Sequence, residues 1–454
     1  MLSKLETKTQ ERLRPPGPKG TPVMGVMREF NADSLGFIER VQREYGDVVW
    51  MRFLYVPALF LYHPDDIEYV LATNPRNFIK SMSLRSNFFQ RLVGNGLLTS
   101  HGEVWKRQRR LTQPAFHRER IATYAGTMVD YTTRLISSWE AGESRDIHRD
   151  MMRLTLEIVV RCLFSADVSN DVDEVGATLR ELVKPFASQA TLKWILNNRL
   201  PTPYHFRFHA LAKKIDRIVY RIIGERRASG KDEGDLLSML LTACDEDGSR
   251  MSDRQLRDEV MTLFLAGHET TALTLAWSWY LLGNHPEVEK RFHAELDEVL
   301  GGREPSLADL PRLKYMEQIA KESMRLYPPA YGMGREAIDD CLISDYRVPS
   351  GTQVFMFQWT TQRDARFYNE PLAFIPERWT DEFEARLPKY AYFPFGGGPR
   401  ACIGASFAMM EIILVLATIG QKFRLELVPD HPVTILPAMS LRPKEGIKVT
   451  LCER

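Results

Sequence analysis

Apolar residues recur every three or four positions along most of the chain, which is the spacing of helices that bury one face. The clearest of these segments are residues 127–139, 151–164, 215–223, 288–300 and 313–326. Strand patterns are fewer. Residues 47–62 are β-branched and aromatic around a break at Pro57 and predict a hairpin, and residues 352–357 and 423–427 predict short strands. The pattern predicts a mainly α protein with a small β region.

The longest predicted helix begins at Ser252, whose hydroxyl can cap the first turn near Gln255, and it runs to about Gly283. A helix of this length spans roughly 45 Å at ~1.5 Å per residue. Its middle, residues 263–272, reads LFLAGHETTA and places a glycine and several polar groups inside an apolar helix. Buried polar groups need partners. This stretch therefore either lines a site or forms a polar patch that faces solvent.

Composition and charge narrow the class of protein. The 454 residues are 44% apolar, and 60 Lys and Arg against 59 Asp and Glu give a net charge of +1, so no chain-wide field attracts nucleic acid. No repeat or long linker divides the chain, and we expect an N-terminal tail over residues 1–20 followed by one domain over residues 21–454. The first 20 residues lack a long apolar run. We therefore expect no transmembrane anchor and a cytoplasmic protein.

One cysteine stands in a distinctive context. Residues 395–404 read FGGGPRACIG and precede a predicted apolar helix over residues 405–419. Glycines let a backbone approach a flat ligand, and Cys402 lies where the NH groups at a helix start can stabilise a thiolate. This arrangement suits an axial metal thiolate. Two alternatives are a phosphate loop, although no GK[ST] follows and Pro399 removes an NH group, and a buried structural cysteine.

The other four cysteines give no comparable signal. They are scattered along the chain and are never spaced CxxC: Cys162, Cys244, Cys341 and Cys452. This distribution argues against a disulfide framework, a zinc site or an iron–sulfur cluster.

Four motifs together resemble those of the cytochrome P450 family of haem-thiolate monooxygenases. The cysteine-loop pattern FxxGxRxCxG is matched by Phe395, Gly398, Arg400, Cys402 and Gly404. The long-helix pattern AGx[DE]T[TS] is matched by Ala266, Gly267, Glu269, Thr270 and Thr271. The ExxR pattern is matched by Glu322 and Arg325, and the segment FIPERW supplies Arg378, with Trp379 where the family has Phe.

The resemblance implies haem b (iron protoporphyrin IX) held between the long central helix and the cysteine-loop helix of the cytochrome P450 fold, with Cys402 as the axial thiolate ligand. It also implies that Glu322, Arg325 and Arg378 form a structural lock under the cysteine loop. The haem-binding residues that it implies are Trp105, Arg109, Arg335, Arg400, Phe395, Ala266 and Gly267. Among these, Trp105 and Arg109 match WxxxR, and the arginines are the expected partners of the haem propionates.

Three histidines are left out of this site. The WxxxR match starts at Trp105, so His101 falls outside it. His205 and His209 are four residues apart but lack the Glu of HExxH, and they favour a lid or surface role over metal binding.

The implied reaction inserts one oxygen atom of O2 into a lipophilic substrate. Thr270 is expected to hold a water near the oxygen and Glu269 to supply protons, unless Glu269 pairs with a basic neighbour and water alone delivers them. The resemblance places these residues above the haem: Phe88, Phe89, Leu92, Val93, Leu97, Leu98, Phe264, Tyr331, Met333 and Met439. These side chains suggest a fatty acid, a terpenoid or a steroid-like molecule.

No flavin or ferredoxin module follows the cysteine loop, so electrons are expected from a separate ferredoxin or flavodoxin with its reductase. Lys106, Arg107 and Arg110 form a possible docking patch, or an ordinary charged helix face. Rival interpretations are a haem-thiolate sensor or carrier, a peroxide-using or isomerising relative, and a purely structural helical protein. The Glu269–Thr270 pair disfavours the first two, and the four ordered motifs disfavour the third.

Overall fold

A computed structural model describes residues 14–166, 172–183, 200–243, 248 and 250–454. The α-helices of these residues are α1 Met27–Ala32, α2 Ser34–Tyr45, α3 Pro64–Glu68, α4 Asn87–Val93, α5 Gly102–Thr112, α6 Arg118–Thr123, α7 Ala125–Ile136, α8 Ile147–Phe164, α9 Val172–Val183, α10 Pro203–Ser229, α11 Leu236–Thr242, α12 Asp253–Asn284, α13 Pro286–Leu300, α14 Lys314–Leu326, α15 Gln358–Thr361, α16 Asp381–Arg386 and α17 Ala405–Lys422.

The strands are shorter than the helices and lie mostly near the two ends of the chain. They are β1 Val48–Phe53, β2 Val56–Leu61, β3 Phe78–Lys80, β4 Ser144–Asp146, β5 Met333–Ala337, β6 Cys341–Ile343, β7 Tyr346–Val348, β8 Gln353–Met356, β9 Phe423–Leu427, β10 Ile435–Pro437, β11 Leu441–Pro443 and β12 Lys448–Glu453. The largest sheet has the order β1-β2-β8-β5-β3. The prediction of a mainly α protein with a small β region is confirmed.

The predicted hairpin forms from β1 and β2, but its turn is not at Pro57. Phe53 pairs with Val56, so Leu54 and Tyr55 make the turn, and Leu54 adopts a φ of 54°. Pro57 lies inside β2 and pairs with Arg52 on one side, whereas the parallel pairing with β8 begins only at Ala58. A proline is tolerated there because no second neighbour needs its missing NH group.

Part of the predicted N-terminal tail packs on this sheet. The NH group of Trp50 donates to the carbonyl oxygen of Pro16 at 2.9 Å, and a Cβ on Gly17 would lie 1.8 Å from the Trp50 carbonyl oxygen. Arg14 lies over the Trp50 ring, 4.9 Å from its centroid. Residues 14–20 therefore lie against the edge strand β1 instead of forming a free tail.

Helix α12 is mostly buried and begins as predicted, with the Ser252 hydroxyl accepting from the NH group of Gln255 at 3.3 Å. Its hydroxyl side chains bond to carbonyl oxygens one turn back, as in Thr270 to Ala266 at 2.8 Å and Thr271 to Gly267 at 3.1 Å. Thr274 and Ser278 do the same. These local bonds let a polar stretch lie inside an apolar helix.

Helix α17 follows the glycine-rich segment and is mostly buried. It is the one helix of the described residues that is long and apolar enough to cross a membrane, and 67% of its apolar window is buried inside the protein. Burial against the rest of the molecule accounts for its apolar sequence, because a helix that is hydrophobic on all sides can serve as a core helix.

The predicted structural lock is present and centres on Glu322, which is fully buried. Its two carboxylate oxygens accept from Arg325 Nε and Nη2, both at 2.8 Å, and from Arg378 Nε at 2.9 Å. The Trp379 indole NH also donates to Glu322 at 2.9 Å. Trp379, which stands where the family has Phe, therefore adds a hydrogen bond that a phenylalanine cannot make.

The remaining donors of the lock tie down distant segments of chain. Arg325 donates to the carbonyl oxygens of Gln362, Pro371 and Ala373 at 2.6 to 2.9 Å. Arg378 donates to the carbonyl oxygen of Asn369 at 2.8 Å. The ion pairs thus fix the stretch that leads from β8 to the cysteine loop.

We expect Glu322→Gln to destabilise the protein by roughly 3 to 5 kcal/mol, because it leaves two arginines with no buried counter-charge. Trp379→Phe should cost only about 1 to 2 kcal/mol, since it removes one hydrogen bond to an oxygen that keeps other donors. Chemical denaturation of both variants measures the difference. Equal losses in the two variants would contradict the central role of the carboxylate.

Candidate active site

A cavity of about 1310 Å³ lies between the middle of α12 and the segment that precedes α17. Ala266 and Thr270 are exposed although most of the neighbouring residues of α12 are buried, because they face this cavity. Cys402 is also exposed and lines the opposite wall. The two motifs that the sequence singled out therefore meet across one space.

The loop before Cys402 is shaped by close backbone contacts. Gly398 has a φ of 64°, and a Cβ there would lie 1.8 Å from the carbonyl oxygen of Leu71. A Cβ on Gly397 would lie 2.2 Å from the Tyr390 ring. Only glycine fits at position 398, because both the backbone conformation and the lack of space exclude a side chain. The loop is thereby pressed against the short π-helical turn Tyr69–Thr73.

Cys402 is held so that its thiol faces the cavity. Its backbone NH donates to the carbonyl oxygen of Phe395 at 2.9 Å. The Cys402 side chain is open only to a cavity inside the protein, so desolvation raises the pKa of its thiol, while the NH group of Gly404 and the charge of Arg109 oppose that rise. A cation or metal at the sulfur would stabilise the thiolate in the same direction as these two groups. The other described cysteines do not line this cavity, and Cys244 lies outside the described residues.

The predicted anion-binding residues gather at the same wall. Arg400 lies over the Trp105 ring, 4.3 Å from its centroid, and donates to the carbonyl oxygen of Ser100 at 3.0 Å. Arg109 donates to the carbonyl oxygen of Ala401 at 3.0 Å. Arg335 is buried and lines the cavity with them. Burial lowers the pKa of Arg400 to about 10. Burial and the nearby charge of Arg400 lower the pKa of Arg335 to about 10 as well.

Sequence reasoning missed a fourth cation, Lys80, at the end of β3. The strand register places Lys80 directly opposite Arg335 of β5, and both side chains are buried and line the cavity. Burial, Arg335 and Arg400 together hold the pKa of Lys80 well below its usual value. The sequence carries no signal for this role, because Lys80 ends a three-residue strand whose partner is more than 250 residues away.

Whether the site fits a cofactor with two negative charges can be judged from these four cations. Like charges that face each other across a sheet destabilise it, and a buried charge needs a counter-charge. Among the described residues, no carboxylate forms an ion pair with Lys80, Arg109, Arg335 or Arg400. An anionic group in the cavity would supply the counter-charge that these residues lack, and each of the two haem propionates can accept hydrogen bonds from more than one of them. The residues present therefore fit haem.

On the α12 side, the predicted glycine has a packing role. A Cβ on Gly267 would lie 2.5 Å from Cγ2 of Val159 in α8. The glycine thus permits α8 and α12 to approach closely. The Thr155 hydroxyl of α8 donates to the carbonyl oxygen of His268 at 2.9 Å, so the two helices are also joined by a hydrogen bond.

Glu269 is paired, which is the alternative that the sequence left open. It is buried, and it accepts from Arg442 Nε at 2.8 Å, from Arg442 Nη2 and from the Ser440 hydroxyl. Burial alone would raise the pKa of Glu269, but Arg442 and the Ser440 hydrogen bond outweigh it and the pKa is lowered. The sequence could not reveal this pair because Arg442 belongs to a strand 173 residues further on.

The predicted pocket residues divide into two groups. Those that line the cavity are Phe89, Leu97, Leu98, Tyr331, Met333 and Met439, together with Phe395. The others, Phe88, Leu92, Val93 and Phe264, are buried in the core instead. Phe88 shows the reason: its ring packs 4.6 Å from that of Phe208 in α10, so α10 occupies the side of α4 that it faces.

His101, His205 and His209 are not among the described residues that line the cavity. His101 immediately precedes α5 and makes no capping hydrogen bond. The rings of His205 and His209 stack 4.3 Å apart near the start of α10. No group of three or more metal-ligating residues is found in the described part of the chain.

Three comparisons place this chain among known proteins. The family model described as Cytochrome P450 matches residues 15–451. Among curated relatives, cyclooctatin synthase of Streptomyces melanosporofaciens is 36% identical over 93% of this chain and 92% of its own length. Cyclooctat-9-en-7-ol 5-monooxygenase of the same organism is 37% identical over 91% and 89%. Pentalenene oxygenase of Streptomyces avermitilis is 33% identical over 96% and 97%.

A solved structure supports the same assignment. The crystal structure of the cytochrome P450DA heme domain superposes with a TM-score of 0.87 at 29% identity and covers 97% of this chain and 98% of that one.

Replacing Lys80 with Met should have opposite effects on the two forms of the protein. Without haem, the variant should be more stable than the native protein by about 1 kcal/mol, since one of two facing charges is gone. With haem, it should lose the cofactor faster to apomyoglobin, since one counter-charge is missing. Thermal melts of both forms and the haem-transfer rate measure this. Lower stability without haem would contradict the proposed charge conflict.

Proposed function

The chain belongs to the cytochrome P450 family, and we propose that it is a monooxygenase that hydroxylates a terpenoid with electrons from a separate redox protein. Members of this family bind haem b through a cysteine thiolate, and the enzyme class is that of monooxygenases. One observation supports the assignment most directly. Cys402 and four cations that pair with no acidic side chain in the described part of the chain face the same cavity as the exposed Thr270.

In this proposal Cys402 is the iron ligand. The haem, when bound, supplies the iron that activates O2, and a thiolate ligand donates electron density that favours cleavage of the O–O bond. Lys80, Arg109, Arg335 and Arg400 bind the propionates, with the indole of Trp105 packed under Arg400. The close contact of Gly398 with Leu71 keeps the loop, and with it the sulfur, in place.

Thr270 holds a proton-bearing water on the opposite side of the cavity. Its hydroxyl donates to the carbonyl oxygen of Ala266 at 2.8 Å, which leaves the lone pairs of the Thr270 oxygen directed towards the cavity and able to accept from water. The hydroxyl hydrogen can rotate away from Ala266 when a proton is needed at the oxygen. Thr270 therefore positions the proton donor, and it lies in a water-accessible part of α12.

Glu269 has a different role from the one expected for a free acid. Its ion pair with Arg442 and Ser440 favours the charged form, so Glu269 does not carry a proton at neutral pH. We assign proton delivery to water that reaches Thr270 through the cavity. Glu269 fixes α12 against the strand that carries Arg442, and Ser440 places the adjacent Met439 in the cavity wall.

Two observations favour a terpenoid over the fatty acid and steroid-like alternatives. The relatives at 33 to 37% identity are named for cyclooctatin, cyclooctat-9-en-7-ol and pentalenene. The cavity wall is apolar and broad, with Phe89, Leu98 and Met439 among its residues. A rigid polycyclic hydrocarbon skeleton fits such a wall because it needs few polar contacts.

The docking site of the redox partner is assigned to the outer face of α5, and its residues differ from those expected from the sequence. Lys106 and Arg110 line a surface depression of about 410 Å³ together with His117, on the outer side of Trp105 and Arg109. Arg107 points elsewhere and donates to the side chain of Gln255 at 3.0 Å. The docking patch is therefore Lys106, Arg110 and His117, and a ferredoxin or flavodoxin supplies the complementary acidic surface in the cytoplasm.

Turnover of a cyclic diterpene with a surrogate ferredoxin and its reductase tests the function. We expect a hydroxylated product, and we expect Thr270→Ala to keep substrate binding but to release several times more peroxide per electron. Product per NADPH and peroxide per NADPH measure the coupling. Cys402→Ser is the control and should lose both the product and the thiolate-type spectrum of the reduced carbon monoxide adduct. Unchanged coupling in Thr270→Ala would remove Thr270 from the proton path.

Charge removal tests the docking patch. Lys106→Gln combined with Arg110→Gln should slow reduction by ferredoxin about tenfold at low salt, because steering depends on charge complementarity. The matched control is Arg107→Gln, which removes a charge from another face of the same helix and should change the rate little. Stopped-flow reduction across a salt series measures both. An equal effect of Arg107→Gln, or equal loss of peroxide-driven turnover, would contradict docking at this patch.

A further inference from the structure

The charges around the cavity fall into two sets. Four cations without acidic partners, Lys80, Arg109, Arg335 and Arg400, lie at the wall that carries Cys402. Away from that wall, the charged side chains of the described residues that line the cavity are Arg85, Glu269 and Asp33. Glu269 is neutralised by Arg442, as described above. The charge that a substrate meets at the other end of the cavity therefore depends on Arg85.

Arg85 is neutralised by a carboxylate that lies behind it. Its Nη2 donates to Oε2 of Glu336, and the same oxygen accepts from Nε2 of Gln353 at 2.6 Å. Oε1 of Gln353 accepts from the backbone NH of Met82 at 2.9 Å. Arg85 and Gln353 line the cavity, whereas Glu336 lies behind them and is not a lining residue. The carboxylate thus cancels the charge of a cation that substrates can reach.

The sheet register sets this arrangement. Glu336 of β5 pairs directly with Gln353 of β8, so the two side chains lie on one face of the sheet. The neighbouring Arg335 points to the opposite face, towards Lys80, because successive strand residues alternate. The side chain of Glu336 and those of Lys80 and Arg335 consequently point to opposite faces of the sheet. A substitution at Glu336 changes the substrate end without removing a haem-binding side chain.

The position of the pair is the outer end of the cavity. Tyr55 and Met82 line the same end and are 70% and 48% exposed. Asp33, also exposed, is a further charged residue that lines the cavity, and it caps α2 by accepting from the NH group of Gly36 at 3.0 Å. A ligand that enters here meets a neutral Arg–Glu pair and one acidic side chain. Among the described residues at this end, a carboxylate would find no cation without an acidic partner.

We propose that Glu336 is a specificity-determining residue that cancels the charge of Arg85 and so restricts the enzyme to uncharged substrates, excluding the carboxylic acids of the same skeletons. This inference rests on the proposed function and narrows its substrate class to terpene hydrocarbons and alcohols. The physical basis is desolvation. A carboxylate that leaves water for this cavity loses its hydration and gains no free cation in return.

Binding of matched alcohols and acids tests the proposal. The haem-loaded enzyme is titrated with geranylgeraniol and geranylgeranic acid, and separately with dodecanol and dodecanoate, at a pH where both acids are ionised. The shift of the haem absorption gives each Kd. We expect the native enzyme to bind each alcohol at least about tenfold tighter than its acid, and Glu336→Gln to tighten acid binding about tenfold while alcohol affinities stay within about twofold.

Further variants separate charge from structure. In Arg85→Gln combined with Glu336→Gln the gain for acids should disappear, and high salt should reduce it in Glu336→Gln alone. Arg85→Gln by itself leaves an uncancelled carboxylate and should weaken acid binding further. Glu29→Gln removes one negative charge from the exposed Glu29–Arg40 ion pair and is the matched control for net charge. It should change neither affinity.

The outcomes distinguish this inference from the proposed function. If the C12 pair is discriminated but the C20 alcohol does not bind, the terpenoid assignment fails and the charge rule stands. The charge rule is overturned if the native enzyme binds acids as tightly as alcohols, or if Glu336→Gln tightens alcohols and acids equally. It is also overturned if the gain persists in the double variant, or if Glu336→Gln gains no affinity for either acid.

Discussion

Uncompensated positive charge buried around one cavity is the constraint on which the rest of this structure depends. Lys80 and Arg335 face each other across two strands, and Arg400 lowers the pKa of both. A fold that places like charges this close pays a free-energy cost unless an anion neutralises them. The site therefore suits an anionic ligand, and the sheet, the cysteine loop and α5 each supply cations that line the space for it.

Two buried carboxylates, Glu322 and Glu269, show the opposite treatment. Glu322 accepts from two arginines, a tryptophan and a backbone NH, and Glu269 accepts from Arg442 and Ser440. Each of these acids joins segments that are distant in sequence and has its charge fully compensated within the protein. These two paired acids hold the fold together, whereas the four cavity cations without an acidic partner among the described residues are available to a ligand. Glu336 is likewise paired with an arginine, but it acts at the substrate end of the cavity.

The sequence motifs predicted the right segments because their chemistry is local. The glycines before Cys402, the apolar helix after it and the capped start of α12 are all short-range patterns, and each appears in the structure with bounds close to those expected. The ExxR pair was also predictable, since Glu322 and Arg325 lie one turn apart on α14. The role of Trp379 was not, because its indole reaches Glu322 across 57 residues of chain.

The sequence by itself determined the helical architecture, the family and the residues that meet across the cavity, since periodicity, caps and motifs act over a few residues at a time. Only the tertiary structure decided which charges are paired. Lys80 opposes Arg335, Arg442 neutralises Glu269, Arg107 turns to Gln255, and α10 covers Phe88. These contacts depend on strand register and helix packing between segments far apart in the chain, and such long-range geometry leaves no local pattern in the residues that take part.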